Sequence, residues 1–322
     1  MRLITDREVA EHITMREAIA AMTAAFEQYG NGAGAIAPRV RAAASHNGST
    51  CAIAAMGAAL PAGGVVGAKV YSTLTNAEVS GRFNFVIVLF SARTGAPLAT
   101  VEANEITRFR TAAASAVALR ALAPLSGPHA ARTLAIFGSG VQARAHAEAF
   151  LLTHAFERVL VAARGGANGG GPALADWIGA EFGVPAQAVD AATAAAQADV
   201  IVTCTRATEP LFDGSTVRPG ALVIAVGASK PQARELDDAL LARAERIVVE
   251  WLPAAQAEAG EFVRAAAGVI DPARVVELGK LLVGGSGWTR RPQDIVVFKS
   301  VGVGLEDVAL ARLVWEKAGA GV

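Results

Sequence analysis

The chain has 322 residues, which is enough for one large or two medium domains with a sizeable core. Its 29 Lys and Arg residues balance its 29 Asp and Glu residues, and this zero net charge argues against a nucleic-acid partner held through its phosphates. The two cysteines, Cys51 and Cys204, stand far apart in no disulfide or zinc pattern, so we expect no metal site and a reducing, cytoplasmic setting.

The N-terminal 124 residues predict a small α+β region. Thr14 and Glu17 have the spacing of a capping box, and apolar residues then recur at helical spacing. Short β-branched segments at 64–72 and 83–91 are typical of strands, and residues 106–123 predict a long alanine-rich helix. The N-terminus is acidic without an apolar core, and the longest uncharged stretch contains turn residues. We therefore expect neither a signal peptide nor a membrane helix.

Beyond a boundary near residues 124–130, strands alternate with helices. The predicted strands are apolar throughout rather than alternating, which is typical of strands buried on both faces of a parallel sheet. They lie at 133–137, 158–163, 199–204, 221–226, 246–250 and 295–300, and a helix at about 304–318 follows them. The fold class is therefore α/β: a Rossmann-type doubly wound parallel sheet plus a smaller α+β domain.

A glycine-rich motif directly follows the first of these strands. Residues 138–143 read G-x-G-x-x-A between a predicted strand and a predicted helix, which is the context that the dinucleotide-binding fingerprint requires. Gly138 would permit the tight turn, Gly140 would let the backbone approach a pyrophosphate, and Ala143 would keep helix and strand close. The helix N-terminus would face the diphosphate with its amides.

The end of the second strand bears on the choice of dinucleotide. An acidic residue there would bind the ribose 2′-hydroxyl of NAD, whereas this sequence has Arg164 after Ala162 and Ala163. Arginine can pair with the 2′-phosphate of NADP, so NADPH is the preferred cofactor and NADH remains possible. The alternative is an ordinary exposed arginine.

Three basic residues are candidates for holding a substrate carboxylate. Lys69 lies mid-strand among apolar residues, where a buried lysine must find an anionic partner. Arg110 lies in the long helix, and Arg41 follows Pro38 and Arg39 in a predicted edge strand. Taken singly, each can also be an ordinary solvent-facing cation.

Several segments resemble the ornithine cyclodeaminase/mu-crystallin family, in that family's order. The resembling pieces are residues 67–72, 106–116, 136–146, 198–205, 225–238 and 296–311. The resemblance implies a Rossmann domain at 125–303 and a substrate-binding and dimerisation domain at 1–124 with 304–322, and it implies a homodimer. It also implies that Lys69 and Arg110 bind the substrate carboxylate, with Arg41 as the third such residue and Arg39 as its alternative register.

Two departures distinguish the chain from the cyclodeaminases of that family. Ser229 stands where those enzymes have the aspartate assigned to ring closure, and Ala54 stands where they have a glutamate two residues before the methionine that matches Met56. The segment AVGASKPQARELDD (225–238) instead resembles the ketimine reductase and Δ1-pyrroline-2-carboxylate reductase branch.

The resemblance therefore implies NAD(P)H-dependent reduction of a small cyclic imino acid to L-proline or L-pipecolate. Lys69 is the predicted catalytic residue, either as the proton donor or relay or as a purely electrostatic group. The last strand, ending at Lys299-Ser300, is expected to bring its backbone to the nicotinamide. The predicted cofactor contacts are Thr111, Gly138, Ser139, Gly140, Val141, Gln142, Arg164, Thr203, Cys204, Val226, Gly227, Lys299 and Ser300.

Three other functions stay open at this stage. An alanine or N-alkyl-amino-acid dehydrogenase would need an amine co-substrate with a 2-oxo acid. An ornithine cyclodeaminase would release ammonia without net change in cofactor, and Ala54 and Ser229 oppose it. A non-catalytic NADPH-binding protein similar to mu-crystallin would bind the dinucleotide without turning over an imine.

Overall fold

A computed structural model describes residues 1–76, 78, 82–124, 127, 129–165, 169–285 and 287–320. The chain divides into two units: Met1–Thr111 with Val303–Val322, and Ala112–Gly302. The division therefore falls inside a helix, thirteen residues before the boundary expected after residue 124. The glycine-rich segment at 165–171 lies partly outside the described residues.

The first unit is built on a mixed sheet. Its elements are β1 (Arg2–Ile4), α1 (Asp6–His12), α2 (Met15–Gly30), β2 (Ala35–Ile36), β3 (Val40–His46), β4 (Ser49–Leu60), β5 (Val65–Thr75), β6 (Arg82–Ser91), β7 (Pro97–Glu102) and the first part of α3 (Asn104–Leu122). The strand order is β1-β7-β6-β5-β4-β2, and β3 pairs with β4. Only the β1–β7 pair is parallel among these described strands.

Local sequence starts the first two helices in the same way. The capping box predicted at Thr14 and Glu17 is present: the Glu17 amide donates to the Thr14 hydroxyl, and the Glu17 carboxylate accepts from the Thr14 amide at 3.0 Å. Thr5 and Glu8 form a second capping box at α1, which the sequence reading did not single out. Both helices therefore begin at residues that satisfy their own exposed amides.

The second unit is a single parallel sheet with helices between its strands. Its elements are β8 (Thr133–Phe137), α4 (Val141–Thr153), β9 (Arg158–Ala162), α5 (Gly170–Phe182), β10 (Ala186–Ala188), α6 (Ala191–Gln197), β11 (Val200–Thr203), β12 (Leu222–Ala225), α7 (Asp238–Arg243), β13 (Arg246–Val249), α8 (Leu252–Glu258), α9 (Gly260–Val263), β14 (Val275–Glu277), α10 (Leu278–Leu282) and β15 (Val296–Lys299). The order is β10-β9-β8-β11-β12-β15-β13-β14.

The predicted Rossmann-type sheet is confirmed. β8, β11, β12 and β15 are buried along their whole length, as their continuous apolar sequences predict. β9 and β10 lie on one side of β8 in the sheet, and β11 and β12 lie on its other side. The strand order therefore reverses between β8 and β11. Ligands of open α/β sheets bind outside the carboxyl ends of the strands at such a switch point.

The last helix, α11 (Gly304–Trp315), returns to the first unit and packs against β4, β5 and α2. Its first eight residues are all buried, including two carboxylates, Glu306 and Asp307. A buried carboxylate is costly unless it is paired, so this helix must meet cations. Among the described residues, no helix is long and apolar enough to cross a membrane. Both cysteines are free thiols.

Candidate functional site

The glycine-rich loop of the second unit has the backbone that the fingerprint demands. Gly138 has a φ of +112°, and a Cβ there would lie 2.7 Å from the carbonyl oxygen of Cys204, so a side chain is excluded. Gly140 is the N-cap of α4, and a Cβ on it would point into open space. No described side chain caps this helix start, which leaves its first amides available to a phosphate.

A cavity of about 1200 Å³ opens beside this loop. Of the predicted cofactor contacts, the lining contains Gly138, Ser139, Gly140, Arg164 and Cys204. The lining also contains Asp190, Thr205 and Arg206, which were not among the cofactor contacts predicted from the sequence. The residues present therefore fit a dinucleotide: a phosphate cradle at a helix start, next to a cavity bearing arginines.

The predicted contacts beyond this cavity lie at the ends of the neighbouring strands, at the start of α4 or in the first unit. Val141 and Gln142 form the first turn of α4, and Val226 follows β12. Thr111 ends the N-terminal segment of the first unit and donates its hydroxyl to the carbonyl of Thr107 at 2.7 Å.

A buried carboxylate ties two of these strand ends together. Glu235 accepts hydrogen bonds from the Thr203 hydroxyl at 2.7 Å and from the Gly227 amide at 2.7 Å. It also accepts from the amide and the hydroxyl of Thr205, at 2.9 and 2.6 Å. Charged acceptors make the stronger hydrogen bonds, so these four contacts fix the loops after β11 and β12. A Cβ on Gly227 would lie 2.2 Å from the Thr205 carbonyl oxygen, which requires glycine there.

The side chains at the end of β15 are also engaged within the protein. The Lys299 ammonium donates to the carbonyl of Ala228 at 2.7 Å and pairs with Glu261 at 3.1 Å. The Ser300 hydroxyl donates to Glu250, which also accepts from the Val301 and Gly302 amides. Any contact of Lys299 with a dinucleotide would thus fall to its backbone.

Cys204 is suited to packing rather than to nucleophilic attack. Burial and the nearby Glu235 carboxylate raise the pKa of its thiol well above the usual value. The thiol stays protonated near neutral pH, and the thiolate is the nucleophilic form.

In the first unit, two buried cations meet two buried carboxylates. Lys69, on β5, donates to Asp307 at 2.8 Å, and Arg110, on α3, donates to Glu306 at 2.5 Å. The Arg110 Nε also lies 3.5 Å from Asp307. Lys69 is 2% exposed and Arg110 8%, while both acidic residues are fully buried. The acidic pair of α11 therefore holds two of the three predicted carboxylate ligands, Lys69 and Arg110, in place.

The environment of Lys69 lowers its pKa to about 8. Burial is the largest cause, because it penalises the charged ammonium, and the positive charge of Arg110 acts in the same direction. Asp307 opposes them through its charge and its hydrogen bond, and Arg39 lowers the pKa further. The lysine is thus able to exchange a proton near physiological pH.

The register of the sheet bears on the third predicted ligand. Arg41 pairs with Ala54 and Val40 with Ala55, and Arg39 immediately precedes this strand. Met56, the next residue of β4 after Ala55, is the partner of Lys69. The charge of Arg39 lowers the pKa of Lys69, whereas Arg41 lies exposed in β3. This favours Arg39, the alternative register, and the assignment of either arginine to the substrate carboxylate stays a prediction.

Among the described residues, no group of three or more His, Cys, Asp or Glu side chains could hold a metal ion.

The fold and the glycine-rich loop together define a Rossmann-type dinucleotide-binding protein with a second, mixed α/β unit. A family model described as "Ornithine cyclodeaminase/mu-crystallin family" matches residues 2–321. The chain belongs to this family.

Three curated relatives of similar sequence are named as reductases. A "Delta(1)-pyrroline-2-carboxylate reductase" of Bacillus cereus is 34% identical over 258 residues, 79% of this chain and 77% of its own. The "Ketimine reductase mu-crystallin" of Mus musculus is 36% identical over 235 residues, 73% and 70% of the two chains. An "Iminosuccinate reductase" of Paracoccus denitrificans is 33% identical over 327 residues, 99% and 97%.

Solved structures show the same fold over the whole chain. A probable ornithine cyclodeaminase from Bordetella pertussis is 42% identical, with a TM-score of 0.90 over 100% of this chain and 98% of its own. The Δ1-pyrroline-2-carboxylate reductase of Thermococcus litoralis, in complex with NADH and L-proline, is 29% identical, with a TM-score of 0.88 over 100% and 99%. An archaeal alanine dehydrogenase dimer with bound NAD is 27% identical, with a TM-score of 0.88 over 100% and 97%.

Proposed function

We propose that this chain reduces a cyclic ketimine carboxylate with NAD(P)H, making L-proline from Δ1-pyrroline-2-carboxylate or L-pipecolate from its six-membered analogue. It is an oxidoreductase of the class that acts on C=N bonds, like its named relatives. The observation that carries this proposal is the buried cluster of Lys69 and Arg110 on Asp307 and Glu306. This cluster holds the hydrogen-bond donors of Lys69 and Arg110 in fixed positions, and the pKa of Lys69 is low enough for it to donate a proton.

The cations of the cluster would bind the substrate carboxylate. Guanidinium and ammonium groups form short, charge-assisted hydrogen bonds with carboxylates, and these are stronger in a buried setting. Glu306 and Asp307 hold Arg110 and Lys69 in position before the substrate arrives, so little side-chain ordering remains to be done on binding. Arg39 would add a third positive charge, because its field already reaches Lys69.

Lys69 would deliver the proton that the imine nitrogen needs. NADPH, when bound, would supply a hydride to the imine carbon, and the nitrogen must gain a proton for the product to be an amine. With a pKa of about 8, Lys69 is about 90% protonated at pH 7 and still acidic enough to give up its proton. Asp307, which accepts from the ammonium at 2.8 Å, would keep the lysine charged despite its burial.

NADPH is the proposed cofactor over NADH because Arg164 lines the cavity beside the glycine-rich loop. It follows β9, where an acidic residue would favour the 2′-hydroxyl of NAD. Asp190 also lines this cavity, but its carboxylate accepts from the amide and hydroxyl of Thr193 as the cap of α6. It is therefore already used as a helix cap.

Cyclodeamination is disfavoured by the groups that are missing. Ala54 is buried on the face of the sheet that carries Lys69, where a glutamate would be needed for a second substrate amine. Ser229, which follows β12, replaces the expected aspartate. A diamine substrate would thus find no carboxylate at either position.

The outer face of the first unit would form a homodimer contact. Val40, Ile53, Val86 and Phe90 share that face by register and are each more than a third exposed. A contiguous exposed apolar patch marks an interaction surface. Light scattering on the wild-type chain should give the mass of a dimer, and Ile53→Glu should give the monomer mass; a monomeric wild type refutes this contact.

Oxidation of NADPH and NADH, followed at the nicotinamide absorbance, tests the proposed reaction. Δ1-Pyrroline-2-carboxylate and its six-membered analogue are the expected substrates. Parallel reactions contain iminosuccinate, pyruvate with ammonia or methylamine, and ornithine with NAD. Fast oxidation with the cyclic imines supports the proposal, whereas activity only with pyruvate and an amine indicates an amino-acid dehydrogenase.

A pair of lysine variants ties that activity to the cluster. Lys69→Met should abolish turnover while NADPH still binds to the second unit. Lys280→Met, at a lysine whose side chain is 63% exposed, is the matched control and should keep full activity. If Lys69→Met retains the wild-type kcat/KM, Lys69 has no role in the reaction.

A further inference from the structure

A second arginine shares the nucleotide cavity with Arg164. Arg206 lines the same cavity of about 1200 Å³, three residues beyond the end of β11. Because β9 and β11 flank β8, the two arginines approach the Gly138–Gly140 loop from opposite sides. Two strand spacings, about 10 Å, separate the strands that carry them, which long side chains can bridge around a shared ligand.

Neither of these two guanidiniums is used within the described part of the chain. Neither forms an ion pair or a side-chain hydrogen bond there. Other exposed arginines of the second unit are paired, such as Arg218 with Asp199 and Arg264 with Glu209. Two unpaired cations that line one cavity are suited to an anion, since arginine binds phosphate bidentately.

The backbone that carries Arg206 is fixed on both sides. Thr205 is held by Glu235 through its amide and hydroxyl, and the Ala207 amide donates to the Thr205 hydroxyl at 3.1 Å. The side chain of Arg206 is therefore presented from a preorganised turn, which lowers the entropic cost of binding. Asp190, which lines the same cavity, accepts hydrogen bonds from Thr193 as a helix cap and forms no ion pair with Arg206 among the described residues.

We propose that Arg206 is a second phosphate-binding arginine, which clamps the 2′-phosphate of NADPH together with Arg164. This inference rests on the NADPH preference proposed above and adds a residue that determines it. The same cation could instead meet the diphosphate, which NADH and NADPH share. Only the 2′-phosphate distinguishes NADPH from NADH, so comparing the affinities of the two cofactors separates a 2′-phosphate contact from a diphosphate contact.

The test is a binding measurement without an imine substrate, so a wrong assignment of the substrate does not affect it. NADPH and NADH are titrated by nicotinamide fluorescence against wild type, Arg206→Ala, Arg164→Ala and the double variant. Loss of one charged hydrogen-bond partner should weaken NADPH binding by about 10- to 100-fold. NADH binding should change by less than about twofold, and it also reports that the second unit is folded.

Two further comparisons sharpen the result. Arg120→Ala removes an exposed arginine of the same unit outside this cavity and should leave both dissociation constants unchanged. The 2′-phosphorylated fragment 2′,5′-ADP should raise the Tm of the wild type more than 5′-AMP does, and Arg206→Ala should remove that difference. Equal losses for NADPH and NADH, an unchanged NADPH affinity, or a wild type without preference for NADPH would each overturn the proposal.

Discussion

The pH dependence of catalysis offers the sharpest test of the Lys69 cluster. The reaction needs the protonated lysine, whose pKa is about 8 in the free protein. The kcat/KM profile reports the groups of the free enzyme, so it should be flat below pH 8 and fall tenfold per pH unit above it. Asp307 raises this pKa through its charge and its hydrogen bond, and Asp307→Asn removes the charge.

An opposite charge at this range shifts a pKa by about 1–3 units, so Asp307→Asn should lower that of Lys69 to about 5–7. The alkaline limb should then begin at the lower pH. Glu306→Gln is the matched control, because Glu306 pairs with Arg110 and is absent from the groups that shift the Lys69 pKa. A far-UV circular dichroism spectrum and a cooperative thermal transition like those of the wild type check that the first unit, which holds both substituted residues, stays folded. A limb that remains near pH 8 in Asp307→Asn would show that another group, such as the substrate imine, titrates there.

Three further predictions concern the second unit. Glu235→Gln replaces a carboxylate that accepts four hydrogen bonds by an amide, so NADPH binding should weaken about tenfold. The control is Glu277→Gln, at a buried carboxylate elsewhere, which should weaken NADPH binding less. Similar losses of affinity in both variants would argue against a specific role for Glu235. Burial lowers the pKa of His146 to about 4 in the folded chain, so as the pH falls the imidazole is protonated in the unfolded chain before it is protonated in the folded one. About 3 kcal/mol of the free energy of unfolding should therefore be lost between pH 6.5 and pH 4. Denaturant unfolding at the two pH values should show a smaller loss for His146→Gln, and an equal loss would assign the acid sensitivity to other groups. Gly138→Ala should lower the Tm and abolish dinucleotide binding, because its φ of +112° and the Cys204 carbonyl exclude a Cβ; normal binding would contradict the role of this turn.

Much of the second unit follows from local sequence. Continuous apolar strands can be satisfied only by burial on both faces, and the G-x-G-x-x-A segment between strand and helix dictates a tight turn with a positive φ at Gly138. Lys69 stands out for a similar reason, since a lysine among apolar residues of a strand demands an anionic partner. The capping box of Thr14 and Glu17 is equally local.

Only the tertiary structure supplied the partners. Asp307 lies 238 residues from Lys69, and Glu235 lies 32 residues from Thr203, so no spacing rule links them. In sequence, Glu306 and Asp307 resemble the acidic first turn of a helix, which ordinarily faces water. In the fold they are buried, and they pair with cations of β5 and α3. Likewise the choice between Arg39 and Arg41, which share one face of the strand, depends on strand register, and a slip of two residues would exchange their positions. Local sequence determined which side chains demanded partners, and long-range packing determined which ones they received, because contact across a fold is set by topology rather than by distance along the chain.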